Sequence, residues 1–275
     1  MKIVELSEEQ RIEVQKLELR ILKEINKICN KYSIKYMAGY GTLIGAVRHN
    51  GFIPWDDDMD LCMLRKEYVR FRKACINEFG EDFFYQTNET DPEYFMLYDK
   101  IRINGTIFKE TFVDKYNINH GVYIDIFAID SVPENLLKRN IQYYGFHFCR
   151  TGVMAKYMDL NARKGKKKVL FSILRILYLP FNIKFLYDKT QKIASQYSDS
   201  ESIYSTNFYS PYHKLDTFKT SLYTNTTELP FEDTIISVPI DYNTMLTTLY
   251  GDYMQFPPPE KRNTRHELTE IRLSN

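Results

Sequence analysis

No stretch of this chain reaches the roughly 18 to 20 uninterrupted apolar residues that a helical membrane span requires, so a helical span is excluded. An excess of charge of one sign is also missing. Lys and Arg number 37 against 36 Asp and Glu. With that balance no global field gathers nucleic acid, and any anion site must be local. Cysteine is scarce: Cys29, Cys62, Cys75 and Cys149 stand apart, with no Cys-x-x-Cys spacing and no His in a zinc pattern. Zinc ribbons and disulfide scaffolds are therefore disfavoured. The chain opens on Met1 and a charged amphipathic stretch rather than an apolar leader, so the cysteines are expected to be reduced thiols in a cytosolic protein. Internal repeats and low-complexity tracts are absent, and Trp55 is the single tryptophan.

What is present reads as one large domain. Its 275 residues can bury a full core. Residues 1–133 are expected to form a catalytic core, 134–200 a helical insertion, and 201–275 a hairpin, a helix and a Pro/Arg-rich tail that completes the site. Ser7 and Gln10 fit a capping box, and Val14, Leu17, Ile21, Ile25 and Ile28 recur at helical spacing, which predicts a helix over 7–31. Ile34 to Ala38 reads as a short strand. Gly39 and Gly41 then bracket a turn, and Thr42 to Arg48 look like a brief helix. Asp58 to Leu64 alternate with period two, as do the runs Leu97 to Ile103 and Val122 to Phe127. A helix is expected over 65–79, with Tyr68, Cys75 and Phe79 buried. Glu228 to Val238 reads as a hairpin around Glu232 and Asp233, and Asp241 as the cap of a helix ending near Tyr250.

Two carboxylates one residue apart on a strand project from the same face, so Asp58 and Asp60 are placed to ligate one hard cation together, or two a few ångströms apart. Mg2+ or Mn2+ is the expected ion, because such ions take one or two protein carboxylates and leave their other positions to water and phosphate. The Gly41-Thr42 turn opens a helix whose free N–H groups and positive dipole end attract phosphate. Asp125, in the middle of its strand, is a candidate third ligand or a base for an acceptor hydroxyl. An acidic run such as Asp56, Asp57, Asp58 and Asp60 is most often solvated surface. Here Met59, Leu61 and Met63 alternate with it as strand interior, and Pro54 and Trp55 lead into it, neither of which a solvated loop needs.

Read together, the strings Gly41-Thr42-Leu43-Ile44-Gly45-Ala46-Val47-Arg48-His49 and Gly51-Phe52-Ile53-Pro54-Trp55-Asp56-Asp57-Asp58-Met59-Asp60 closely resemble the signature of the LicD family, which includes the fukutin-related transferases. The resemblance continues through Lys100-Ile101-Arg102, Gly121 to Phe127, Tyr250 to Met254, and Pro257 to Arg262 with His266. It implies an α+β nucleotidyltransferase-like fold, a small mixed sheet flanked by helices, here with a helical appendage. It also implies transfer of a phospho-alcohol such as phosphocholine from a CDP-linked donor to a hydroxyl of a glycan or lipid-linked glycan at the cell surface, with CMP leaving. The family's phosphate-binding turn maps to Gly41 and Thr42, its metal acids to Asp58 and Asp60, and its later acid to Asp125. Arg48, Lys100, Arg102 and Arg262 become candidates for the basic side chains that meet the donor's phosphates. Tyr40 stands where many members carry a second Gly, which implies a stiffer turn. His49 and His266 read as structural hydrogen-bonders. Two alternatives remain open: nucleotidyl transfer from a triphosphate, and a catalytically silent glycan-binding or scaffold protein.

The basic run Arg163, Lys164, Lys166, Lys167 and Lys168 precedes an apolar stretch, and residues 163–187 fit either a peripheral contact with an anionic membrane surface or a core helix behind a solvated basic loop.

Overall fold

A computed structural model of the protein describes residues 3–158, 160, 165–198, 202–264 and 266–274; Arg163 and Lys164 of the basic run lie outside them. The first helix, α1 (Glu8–Tyr32), starts where its cap predicts. Ser7 accepts from the Gln10 backbone, and the Gln10 side chain accepts from the Ser7 N–H. Its apolar stripe, with Ile21, Leu22 and Ile25, is fully buried in the main core.

The sheet is mixed, and the fold is α+β. Its spatial order runs β1 (Met37–Ala38), β2 (Asp60–Leu64), β6 (Tyr123–Val132), β4 (Asp99–Ile103) and β3 (Phe83–Gln86). β2 and β6 are parallel; the other neighbours are antiparallel. Between β1 and β2 lies α2 (Tyr40–His49), and between β2 and β3 lies α3 (Arg65–Glu78), with Tyr68 and Cys75 buried and Phe79 half-buried at its cap.

The central strand β6 continues past Phe127, where the alternation suggested it would end. Its last residues pair with β7 (Tyr204–Thr206), which pairs with β8 (Thr217–Lys219), so among the described residues seven strands share the sheet. A second ribbon joins β5 (Ile107–Glu110) to β11 (Leu268–Arg272), so the Pro/Arg-rich tail is followed by a strand on the core. The expected hairpin is β9 (Thr226–Phe231) with β10 (Thr234–Pro239), and α7 (Ser221–Thr224) precedes it. Asp241 caps α8 (Tyr242–Tyr250) by accepting from the Thr244 N–H.

The appendage is α4 (Leu136–Tyr157), α5 (Gly165–Leu177) and α6 (Ile183–Ser195), with a small core of its own around Val153, Tyr178 and Leu186. Among the described residues, no helix is long and apolar enough to cross a membrane.

Candidate active site

Beneath the site runs a row of charged side chains across three strands. Asp60 on β2 pairs in register with Asp125 on β6, and Asp125 with Lys100 on β4. Strand partners in register point to the same face, so the row follows from pairing alone. Lys100 Nζ lies 2.7 Å from an Asp125 carboxylate oxygen and 3.9 Å from Glu110, with its ammonium 3.1 Å from the Tyr123 ring centre. Lys100 is only 2% exposed, so it sits behind the site as a counter-ion and not in the cavity wall as a phosphate ligand.

The acidic string lies just outside the strand. β2 begins at Asp60, two residues later than the alternation predicts, although the Met59 carbonyl accepts from the Asp125 N–H and holds the approach on the sheet. The alternation survives in burial. Asp58 and Asp60 line one cavity, while Asp57 and Met59 are buried on the other side.

That cavity holds about 590 Å³, within the range of small-molecule sites. Gly41, Arg48, Asp56 and Lys261 also line it, with a wall of rings that includes Tyr40, Trp55, Tyr212 and Phe256.

The glycine bend sits against the acids. The Gly39 N–H donates to the Asp60 carbonyl at 2.9 Å, and a Cβ at Gly41 would stand 2.8 Å from an Asp56 carboxylate oxygen. Helix α2 therefore starts beside the acids, with leading N–H groups that it cannot satisfy itself and no side-chain cap on Gly39.

The Thr42 hydroxyl accepts from the Asp60 N–H at 2.8 Å, which makes it a strut that fixes Asp60, a role its place in a phosphate turn did not suggest. Tyr40 has φ +43°, the left-handed region that costs a non-glycine residue about 1–2 kcal/mol. Its hydroxyl donates to Asp216 and accepts from Asn207 at 2.6 Å, and its ring stacks on Tyr212 at 5.9 Å, contacts that offset the strain.

The remaining basic candidates separate. Arg48 lines the cavity; it donates to the Tyr253 carbonyl at 2.6 Å and lies 4.7 Å above the Phe256 ring. Burial and then the charge of Arg262 press its pKa below the ordinary value, a strain that a bound anion relieves. Arg262 stands outside the lining, 5.4 Å from the Trp55 ring, with Nε donating to the Pro257 carbonyl. Arg102 is buried and spends its donors on Gln86 (2.5 Å) and the Gly121 carbonyl (2.6 Å), so it supports the sheet and does not reach the cavity. Lys261, which the sequence reading did not assign, lines the cavity in its place.

A trio from three distant segments completes the setting. His266 Nδ1 lies 3.1 Å from Asp57, and its Nε2 lies 3.6 Å from Glu110. Burial pushes its pKa down, but the Asp57 hydrogen bond and the charges of Glu110 and Asp58 outweigh that and raise it to about 10. The imidazole is thus held as a cation. The residue types fitted a hydrogen-bonding His266, but its partners became visible only once β11 was seen to pair with β5.

The residues fit a hard divalent cation. Carboxylate oxygens of Asp56, Asp57 and Asp58 lie within 4.8 Å of one another, and Asp57 Oδ2 is buried without a hydrogen-bond partner among the described residues. Burial, then Asp58, Asp125 and Asp56, raise the Asp60 pKa well above the usual carboxylate range, with Lys100 opposing. Such crowding is what a bound cation relieves.

A glycine bend at a helix start, acids on the adjoining strand and a mixed sheet beneath them define a nucleotidyltransferase-type domain. Residues 33–159 match the LicD/FKTN/FKRP nucleotidyltransferase domain. The chain is similar to the lipopolysaccharide cholinephosphotransferase LicD of Haemophilus influenzae, with 29% identity over 264 residues that cover 90% of this chain and 92% of the relative. It is also similar to an uncharacterised protein of Rickettsia prowazekii, 32% identical over 120 residues that cover 42% of this chain and 40% of that one.

Proposed function

We propose that this protein transfers a phospho-alcohol, of the phosphocholine type, from a CDP-linked donor to a hydroxyl of a cell-surface or lipid-linked glycan, with a divalent cation at Asp58 and Asp60. The observation that carries this reading is that Asp58, Asp60, Gly41 and Arg48 open on one cavity, so an acid pair, a helix start and a cation meet the same ligand. The name of the Haemophilus relative supports phosphocholine as the group and lipopolysaccharide as the class of acceptor. The rings of Tyr40 and Tyr250, which pack on the face and edge of Tyr212 with centres 5.9 and 5.2 Å from it, suit a quaternary ammonium headgroup. Four buried free cysteines suit the reducing cytoplasm, where we place the reaction.

In this reading Asp58 and Asp60, which line the cavity together with Asp56, would hold the ion. When bound, the cation neutralises charge on the donor's diphosphate and on the departing CMP. The N–H groups at the start of α2 and the Arg48 guanidinium grip phosphate oxygens. The acceptor oxygen attacks the phosphorus that bears the alcohol, the bond from that phosphorus to the CMP oxygen breaks, and the acceptor's proton passes to Asp125. Burial raises the proton affinity of Asp125, against the pull of Lys100, which suits it as a base.

The deciding experiment gives the protein CDP-choline, CDP-ethanolamine, CDP-ribitol and CDP-glycerol in turn, with magnesium, manganese or chelator, and follows binding and CMP release. We expect metal-dependent binding of one donor with release of CMP, and loss of turnover in Asp60→Asn without unfolding. Pyrophosphate release from a triphosphate, or full activity in that variant, would overturn the reading.

A further inference from the structure

The helical appendage presents an apolar face that the fold leaves uncovered. None of the side chains of α5 is buried. Val169, Leu170, Ile173, Ile176 and Leu177 are each at least half exposed. Their spacing of one, three and four residues puts them on a single helical stripe. This is the reverse of a surface helix in a water-soluble domain, which turns its apolar stripe inward.

The orientation is fixed from beneath. The Arg175 guanidinium donates to the Ala155 and Met158 carbonyls at the end of α4, and Leu174 packs on the small appendage core. Rotating the stripe inward would break these contacts.

A second stripe adjoins the first. Leu137, Ile141, Tyr144 and Phe148 on α4 recur every three or four residues and are each at least half exposed. Phe148 meets Tyr178 at the end of α5, with ring centres 5.1 Å apart and the Tyr178 hydroxyl donating to the Phe148 carbonyl at 2.8 Å. The second stripe therefore reaches the residue that follows α5.

Charge identifies the partner. Residues 136–195 carry thirteen Lys and Arg against two Asp, while the whole chain is nearly neutral. Lys166, Lys167 and Lys168 are exposed at the start of α5, beside the stripe. A second copy of the same appendage would set cation against cation. An apolar stripe flanked by lysines matches a bilayer with anionic headgroups, where the side chains enter the acyl boundary and the ammonium groups meet phosphates.

We propose that α4 and α5 form an interfacial platform by which this protein docks on an anionic phospholipid surface without crossing it. The platform does not depend on the reaction assigned to the cavity, because neither donor nor metal takes part.

The test is sedimentation of the 275-residue protein, without metal or nucleotide, with vesicles of phosphatidylcholine alone or with about one third phosphatidylglycerol, a fraction chosen to give the strong anionic surface potential that attracts basic residues. We expect at least tenfold tighter binding to the anionic vesicles, weakened by salt. The double variant Ile173→Ser with Ile176→Ser should lose at least tenfold while keeping its circular dichroism, and Lys166→Gln with Lys167→Gln and Lys168→Gln should remove most of the anionic preference. Equal binding to both vesicle types, or unchanged binding by the Ile173 and Ile176 variant, would overturn the proposal. So would a concentration-dependent dimer in sedimentation velocity that this variant abolishes, since the face would then belong to a second copy. Failure of the donor experiment would leave these outcomes untouched.

Discussion

Replacing Lys100 by Met tests the row of charges beneath the site. The ammonium is 2% exposed, lies 2.7 Å from Asp125 and 3.9 Å from Glu110, and faces the Tyr123 ring. Met keeps the length of the side chain and removes only the charge, so packing is largely retained. Asp125 and Glu110 then remain buried with one countercharge fewer, and removing one partner of a buried pair costs roughly 3–5 kcal/mol. With an unfolding entropy of about 2.1 cal/mol/K per residue, the 275 residues give about 0.6 kcal/mol/K, so the expected fall in Tm is roughly 5–9 °C. Differential scanning fluorimetry and urea unfolding, both in chelator, measure it. Adding Asp125→Asn to Lys100→Met should return at least half of the loss, because the orphaned charge goes with its partner. Magnesium should stabilise Lys100→Met more than wild type, since the ion supplies the missing positive charge. A loss below about 1 kcal/mol, the level of an exposed ion pair, or no recovery in the double variant would refute the view of Lys100 as the counter-ion of the acidic row.

Thr42→Val strands the Asp60 N–H and should cost about 1–3 kcal/mol while weakening magnesium binding in calorimetry; Thr42→Ser should restore both, and equal behaviour of the two variants would refute the strut. The proton affinity of His266 is raised in the fold, so its contribution to stability is complete below about pH 6.5 and is lost as pH rises through about 10. Chemical unfolding in chelator from pH 6 to 10 should therefore show wild type losing stability relative to His266→Gln, and parallel curves would count against an imidazolium there.

Local patterns carried much of the architecture. The Ser7 capping box, the apolar stripe of α1, the Asp241 cap and the hairpin around Glu232 are properties of neighbouring residues, and each appears near its expected place. The closeness of the glycine bend to Asp58 and Asp60 was also readable, because they belong to one continuous motif between Gly41 and Asp60. What could not be read depends on distant pairing. β11 becomes a strand only because β5, some 160 residues earlier, lies open to it, and that pairing carries His266 to Asp57. Lys100 and Arg102 share one strand and one face. Only the placement of Glu110, Gln86 and Gly121 makes the first a counter-ion of the acids and the second a brace of the sheet. No motif spacing encodes that division.

The left-handed turn at Tyr40 has a consequence for how the protein matures. Its anchors, Asn207, Tyr212 and Asp216, are synthesised long after the bend they hold. A nascent chain that has emerged only as far as the appendage already contains the acids and the glycines, yet it has nothing to lock that bend in shape. Catalytic competence is thereby deferred until the last quarter of the polypeptide has folded back, so clipped or stalled products should be inert even when every acid is intact.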